Sequence, residues 1–143
     1  MLSKSKSARA QRGFTLLELL VVLVILGMLA ALAGPRVMKY ISSAKSDTAK
    51  LQIEELGAAL DMYKLEVGRH PNTQEGLQAL VEAPGGAANW NGPYLKKNAI
   101  PKDPWGVDYH YAAPGQHGAF DLYTLGADGR EGGEGEDRDV VSW

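Results

Sequence analysis

The stretch RGFTLLELLVVLVILGMLAALAGPR, residues 12–36, contains an apolar run long enough to cross a membrane. Between Phe14 and Ala33 the residues are apolar or small, except for Thr15 and Glu18. A helix rises about 1.5 Å per residue, so this run extends roughly 30 Å, which matches the hydrocarbon thickness of a bilayer. The sequence therefore predicts one transmembrane helix here.

The residues before this run carry positive charge and no acid: Lys4, Lys6, Arg9 and Arg12. The positive-inside rule then places the N-terminus in the cytoplasm and the body of the protein on the other side of the membrane. Setting these four aside from the 15 basic residues leaves 11 basic against 17 acidic residues. Such an acidic body argues against a nucleic-acid-binding surface, where basic clusters neutralise phosphates.

The length of 143 residues suits one modest domain with an appendage. The chain has no cysteine, which excludes both a disulfide framework and a thiolate metal site. The fold must therefore rely on packing or on a bound ion.

Glu18 is the feature of the apolar run that needs an explanation. A carboxylate within a membrane helix costs about 2.5–3.5 kcal/mol, and less near the interface. A cleaved signal peptide, with AALAG as its cleavage site, accounts for the small residues but has a shorter apolar region. A plain signal anchor accounts for the length and leaves the cost of Glu18 unexplained, unless the side chain snorkels to the interface.

Behind the membrane segment the sequence predicts a second helical stretch. Gly34-Pro35 should kink or locally melt the helix, since proline lacks a backbone donor and clashes with the preceding turn. Apolar residues then recur at spacings of three and four, as on one face of an amphipathic helix: Ile53, Leu56, Leu60, Tyr63 and Val67. We interpret this face as core packing, and Gly68 with Pro71 as the end of the helix.

The remaining residues predict a small antiparallel sheet. A short helix from about Gln74 to Glu82 has Thr73 as its expected N-cap. We predict two strands, VDYHYAA and AFDLYTLG, joined by residues 114–118. The segment DVVSW is expected to form a third strand. The fold class is therefore α+β, a long N-terminal transmembrane and amphipathic helix with a small C-terminal antiparallel sheet.

Residues 12–18, Arg-Gly-Phe-Thr-Leu-Leu-Glu, resemble the class III signal of type IV pilins and pseudopilins. The resemblance implies that a prepilin peptidase cuts after Gly13 and methylates Phe14, so that Glu18 becomes the fifth mature residue. It also implies that Glu18 meets the N-terminal amine of Phe14 in a neighbouring subunit. A buried charge is tolerable when it is paired, so Glu18 would set the register of assembly.

The body narrows this resemblance to the major pseudopilins of type II secretion systems, also called general secretion pathway protein G. The motifs are HPNTQEGLQALVEAP, WNGPYL, PKDPWGVDYHYAAPG and FDLYTLGADGREGGEGEDRDVVSW, in that order. The resemblance implies a type IV pilin-like fold and a structural subunit that forms a helical homopolymer, the periplasmic pseudopilus that drives export of folded proteins. The alternative is a major subunit of a type IV pilus.

The resemblance also implies partners and a division of the chain. The partners are other copies of the chain, minor pseudopilins, the inner-membrane assembly platform and the prepilin peptidase. The expected segments are a leader at 1–13, a transmembrane and filament-core helix at 14–34, an amphipathic helix at 35–68 and a periplasmic head at 69–143. The protein would be a single-pass protein of the bacterial inner membrane, with its N-terminus in the cytoplasm.

The last sixteen residues are rich in acids and glycine. The acids are Asp128, Glu131, Glu134, Glu136, Asp137 and Asp139. Carboxylate and carbonyl oxygens are the ligands that Ca²⁺ prefers, although the spacing is not that of an EF-hand. The alternative from the residues alone is a solvated acidic tail. The resemblance implies a structural calcium held by the carbonyl of Leu125 and by Asp128; some family members have an acid where this chain has Gly135, so we take Asp137 as the substitute ligand.

The sequence argues against an enzyme. His70, His110 and His117 lack ligand-type spacing, and no common catalytic motif is present. Trp90, Trp105, Tyr109 and Tyr111 suggest either a sugar-stacking cleft or core packing, and in so small a domain we expect core packing.

Overall fold

The computed structural model describes residues 13–143 as one long helix followed by a small sheet. Helix α1 spans Leu16–Val67, and the strands are β1 (His110–Ala112), β2 (Asp121–Thr124) and β3 (Val140–Val141). Two short 3₁₀ helices, Leu77–Leu80 and Gly135–Asp137, lie between these elements. Backbone contacts divide the chain into two compact units, the first ending at Met38 and the second running from Lys39 to Trp143.

The first unit holds the apolar part of α1. Its most apolar 18-residue window has a mean hydropathy of 2.8, and none of that window is buried within the structure. The large side chains from Leu16 to Leu32 are all exposed, Leu16 at 89% and Leu32 at 75%. The helix is therefore long and apolar enough to cross a membrane, as the sequence predicts.

Helix α1 continues through Pro35 without a break. The expected local melting at Gly34-Pro35 is therefore wrong. Proline removes one main-chain hydrogen bond, but the bonds of the turns on either side hold the helical conformation.

The second part of α1 provides one wall of the core. Leu56, Leu60 and Tyr63 are fully buried and Ile53 is 4% exposed, which confirms the predicted apolar face. Val67 packs at the edge of the same cluster. Two alanines are buried as well, Ala49 before the predicted positions and Ala59 between them. Gly68 ends the helix as expected: its φ is +91°, and its N–H donates to the carbonyl of Lys64 at 2.8 Å.

The segment after α1 differs from the predicted helix at residues 74–82. The chain forms turns at 73–76 and then the 3₁₀ helix Leu77–Leu80, preceded by Gly76 rather than capped by Thr73. The Thr73 hydroxyl instead exchanges two hydrogen bonds with the main chain of Ala113, at 3.0 and 3.1 Å. Thr73 therefore ties this segment to the end of β1, a long-range contact that a local capping rule does not anticipate.

Asn72 and Glu75 close the turn that Thr73 was expected to cap. The Asn72 N–H donates to Glu75 Oε2 at 2.8 Å, and the Glu75 N–H donates to Asn72 Oδ1 at 2.9 Å. Arg69 donates two further hydrogen bonds to the Glu75 carboxylate, at 2.6 and 2.7 Å. This contact with Arg69 lowers the pKa of Glu75 to about 2, so the turn is held by an ionised carboxylate.

The sheet is antiparallel with the order β1-β2-β3. Tyr111 pairs with Leu122 in the first ladder, and Tyr123 pairs with Val141 in the second. All three predicted strands exist, and each is shorter than its sequence pattern. Leu122 is fully buried and joins the same core cluster as Leu56 and Leu60.

Asp103 organises the loop that leads into the sheet. It is 4% exposed, and its Oδ1 accepts the N–H groups of Trp105 and Val107 at 3.0 and 2.8 Å. Its Oδ2 accepts the hydroxyl of Thr124 on β2. The Asp103 carboxylate therefore links the turn at residues 103–106 to strand β2 of the sheet.

Most of the aromatic residues that could have formed a sugar cleft belong to the core. Tyr109 is 6% exposed, and Trp90 and Tyr111 pack against the core cluster. Their polar atoms are satisfied within the fold: the Tyr109 hydroxyl donates to Gln52 Oε1 at 2.6 Å, and Trp90 Nε1 donates to the carbonyl of Ala79 at 2.8 Å. Trp105 is half-buried beside Asp103.

Candidate functional site

The predicted processing site lies at the start of the described residues. Gly13 and Phe14 precede α1 and have no regular secondary structure, and the Phe14 side chain is 93% exposed. A protease needs an extended, accessible peptide bond, and the Gly13–Phe14 bond is outside the helix. The rest of the predicted leader, residues 1–12, lies outside the described part of the chain.

Glu18 takes part in a capping box at the start of α1. The Thr15 N–H donates to Glu18 Oε2 at 2.9 Å, and the Glu18 N–H donates to the Thr15 hydroxyl at 3.2 Å. This reciprocal pair satisfies two of the donors that a helix start leaves without partners. The sequence signature Thr-x-x-Glu at residues 15–18 is typical of this arrangement.

The capping box leaves one oxygen of Glu18 available. Within residues 13–143, Oε1 has no hydrogen-bond partner, since only Oε2 accepts from Thr15. A carboxylate offers about four lone-pair sites on its two oxygens. Glu18 can therefore cap its own helix and accept a donor from another chain.

The acidic loop, residues 125–139, connects β2 to β3, and its two ends meet through the main chain. The Ala127 N–H donates to the carbonyl of Glu136 at 2.8 Å. Gly126 has φ +70°, and a Cβ there would lie 2.6 Å from the Glu136 carbonyl oxygen and 2.9 Å from that of Arg138. Only glycine permits this close approach, so the loop is a closed ring of main chain.

A second glycine brings the middle of the acidic loop onto Asp137. A Cβ on Gly133 would lie 2.6 Å from the carbonyl oxygen of Asp137 and 2.9 Å from its Cβ. Gly135 has φ +63° and begins the 3₁₀ helix that ends at Asp137. Most side chains at 135 would be strained at this φ.

The carboxylates of the acidic loop differ in their surroundings. Asp128 and Asp137 are exposed, and Asp128 Oδ1 accepts the N–H of Arg130 at 3.1 Å. Asp139 is half-buried; its Oδ2 accepts the N–H of Gly132 at 2.9 Å, while its Oδ1 is buried with no partner in the described structure. A buried carboxylate oxygen without a donor is costly, so Asp139 marks a place where a cation would be favourable.

The structure brings the three predicted calcium ligands to the two ends of one closed loop. Leu125 precedes the Gly126 contact, and Asp137 takes part in it. Within the described residues, no group of three or more acidic or histidine side chains converges on one point. A site here would therefore combine main-chain carbonyls with carboxylates, which Ca²⁺ accepts.

The histidines are structural in their contacts. His70 packs edge-on against Phe120, and its Nε2 lies 3.3 Å from Asp61 Oδ1. His110 stacks on Tyr123 across the sheet, with ring centroids 4.8 Å apart. His117 stacks on Trp143 and contacts Asp121.

The exposed apolar helix and the small antiparallel sheet define a membrane-anchored subunit of the type IV pilin-like class. A family model described as Prokaryotic N-terminal methylation motif matches residues 8–34. A second model, described as Type II secretion system (T2SS), protein G, matches residues 36–143. The chain belongs to the protein G family of type II secretion systems.

Relatives in other bacteria support the same assignment. The chain is 55% identical over 139 residues to the Type II secretion system core protein G of Pseudomonas aeruginosa, covering 94% of this chain and 96% of that protein. It is 48% identical over 141 residues to the protein of that name from Vibrio cholerae, covering 96% and 95%. These matches favour the pseudopilin over the pilus subunit.

A solved structure has the same fold. The crystal structure of the major pseudopilin from the type 2 secretion system of enterohaemorrhagic Escherichia coli matches with a TM-score of 0.63 and 33% sequence identity. The match covers 74% of this chain and 92% of that one. The chain is thus a structural pseudopilin subunit and not an enzyme.

We predict that Gly126→Ala destabilises the fold more than Gly129→Ala. Both glycines have positive φ, +70° and +66°, so the left-handed strain is common to both variants. At 126 the new Cβ would meet the opposite end of the loop, whereas at 129 nothing lies within 4 Å. The difference should be about 1–3 kcal/mol, as for an overpacked site. Thermal unfolding of the full chain in detergent micelles measures it, and equal losses would contradict the ring closure.

Proposed function

We propose that this chain is exported as a single-pass inner-membrane protein and is then assembled into the periplasmic pseudopilus of a type II secretion system. The observation that carries the proposal is the fully exposed apolar part of α1. Such a surface is stable in lipid or against other apolar helices. The N-terminus lies in the cytoplasm and the head in the periplasm, in keeping with the basic residues before the span.

The assembled filament is a helical homopolymer of this chain. Its growth involves the inner-membrane assembly platform, the prepilin peptidase and minor pseudopilins. The support for this set of partners is membership of the protein G family. The division into a leader, a filament-core helix, an amphipathic helix and a head follows the segments 1–13, 14–34, 35–68 and 69–143.

We predict that the mature protein begins at an N-methylated Phe14. Cleavage after Gly13 leaves the apolar helix on the mature chain, whereas a signal peptidase acting near Ala33 would remove it. Intact-mass spectrometry of the chain extracted from membranes distinguishes the two products. A mature N-terminus after Ala33 would rule out assembly through α1.

Glu18 acts in assembly by accepting the Phe14 amine of a neighbouring copy. Its Oε2 caps its own helix, and its second oxygen remains for that donor. In a dry helix bundle, the pair removes the cost of two isolated charges. The contact also fixes the axial register of adjacent helices.

We predict that Glu18→Ala and Glu18→Gln both insert into the membrane and both reduce filament assembly. Glutamine keeps an oxygen for the capping box with Thr15 but lacks the charge, so the pair of variants separates capping from ion pairing. The measurement is the yield of sheared filaments in a strain without the wild-type copy. Normal assembly of Glu18→Gln together with failure of Glu18→Ala would show that capping, rather than pairing, is the role of Glu18.

The acidic loop binds a structural Ca²⁺ in this proposal. The family resemblance implies the carbonyl of Leu125 and the carboxylate of Asp128 as ligands, and Asp137 is the substitute candidate for the acid missing at Gly135. The buried Oδ1 of Asp139, which has no donor in the described structure, adds a fourth candidate oxygen. All of these candidate ligands are oxygen atoms, which is the ligand type that Ca²⁺ prefers.

We predict that chelation of calcium lowers the melting temperature of the full chain in micelles. A ligand that binds only the folded state stabilises it by about 2.7 kcal/mol at a hundredfold excess over Kd. Asp128→Ala should reproduce this loss and make the protein insensitive to the chelator. Glu131→Ala, an exposed acid of the same loop outside the candidate set, is the matched control. Identical melting temperatures with calcium and with chelator would show that the loop is a solvated acidic segment that binds no calcium.

A further inference from the structure

The last residue of the chain stacks on the loop between β1 and β2. The rings of His117 and Trp143 are 4.0 Å apart at their centroids and inclined by only 2°. Tyr123 on β2 meets the same indole edge-on, with centroids 5.8 Å apart. The indole of Trp143 is therefore held by two rings, although half of this residue is exposed.

Asp121 holds His117 in the position that the stack requires. Its carboxylate accepts the N–H groups of Gln116 and His117 at 2.9 and 3.1 Å. Nδ1 of the His117 ring lies 3.0 Å from Asp121 Oδ2, which fixes the plane of the imidazole. Burial raises the pKa of Asp121, but these three hydrogen bonds outweigh it and lower the pKa overall. The acceptor is thus ionised and the ring is firmly oriented.

Gly115 lets the loop approach Asp121. A Cβ on Gly115 would lie 2.5 Å from Asp121 Oδ1 and 2.6 Å from the carbonyl carbon of Phe120. The loop between β1 and β2 is therefore folded back onto the start of β2, with its histidine ring facing the indole of Trp143.

Strand β3 contains only two residues, and further contacts fix the chain beyond it. The Ser142 N–H donates to the carbonyl of Leu122 at 2.9 Å, and the Leu122 N–H donates to the Ser142 hydroxyl at 3.1 Å. The stack of Trp143 follows directly on these bonds. A two-residue ladder is weak by itself, so the stack and the Ser142 bonds provide much of the attachment of this strand.

The acidic loop ends where β3 begins: Asp139 immediately precedes Val140, and Asp137 lies two residues before Asp139. The positions of these two carboxylates therefore depend on how firmly β3 is held against β2. We propose that His117 and Trp143 form a clasp that fixes β3 to the sheet and thereby positions Asp137 and Asp139 to bind a divalent cation. In this role His117 and Trp143 are positioning residues that touch no cation. The inference rests on the calcium binding proposed above.

The test compares Trp143→Ala and His117→Ala with Trp143→Phe and His110→Ala in the full chain in micelles. Trp143→Phe keeps a ring that can stack. His110→Ala removes a similar stack on β1, at the other edge of the sheet. Calcium affinity is measured by isothermal titration with calcium chloride. Hydrogen exchange is measured for the amides of residues 139–142 and, as a check on folding, for those of buried residues in α1.

We expect Trp143→Ala and His117→Ala to weaken calcium binding about three- to tenfold, the range of one aromatic pair. Exchange should become faster at residues 139–142 and stay unchanged in the buried part of α1. Trp143→Phe should keep most of the affinity, and His110→Ala should weaken it less than His117→Ala does, because His110 contacts Tyr123 and not Trp143. Unchanged calcium affinity in Trp143→Ala would overturn the proposal.

A failure of the calcium site gives a different result from a failure of the clasp. If the wild-type chain binds no calcium, the role of the clasp in cation binding is refuted together with the site. Faster exchange at residues 139–142 in Trp143→Ala would then still establish the attachment of β3. Unchanged exchange, with or without calcium binding by the wild type, would refute the clasp itself.

Discussion

The exposed apolar surface of the first half of α1 is the constraint on which the biology of this chain depends. Its most apolar window buries nothing within the structure. At about 25 cal/mol per Å² of apolar area, leaving such a helix in water is prohibitive. Among residues 13–143, by contrast, the buried core cluster is built from residues of the second unit. The two halves of α1 therefore differ in their surroundings. The second half packs in the core of the head, and the first half requires lipid or neighbouring helices.

Glu18 shows how a costly group can be tolerated in both of those surroundings. Its hydrogen bond from Thr15 offsets part of the cost in a single chain, because the carboxylate caps a helix start that would otherwise leave donors without partners. The same carboxylate has a second oxygen for a donor from outside. Capping in the single chain is therefore compatible with the proposed pairing in the filament, and it fixes the direction of the carboxylate.

The sequence predicted the parts of this fold that depend on periodicity. The spacing from Ile53 to Val67 identified the buried face of α1, and Gly68 identified its end, because both signals are local. The roles of Thr73 and Asp103 were not predictable in this way. Thr73 bonds to Ala113, 40 residues away, and Asp103 to Thr124, 21 residues away. Two local signatures were present but missed: Thr-x-x-Glu at residues 15–18, and an aspartate before Pro-Trp-Gly whose carboxylate accepts an N–H two residues on.

The acidic loop combines what the sequence could and could not indicate. Composition left a hard-cation site and a solvated tail both open. The family resemblance suggested Leu125 and Asp128, and Asp137 was taken as the substitute for the acid missing at Gly135. Neither indicated that the loop closes through the main chain at Gly126, or that Asp139 has a buried oxygen without a donor. The closure matters for the energetics, because a ring held by glycine contacts keeps its carbonyls in place before any ion arrives. A preorganised ring loses little entropy on binding, whereas six acids on a loose tail would first have to be brought together against their own repulsion. The balance between ion site and solvated tail therefore depends less on the number of acids than on the contacts that close the loop and fix β3.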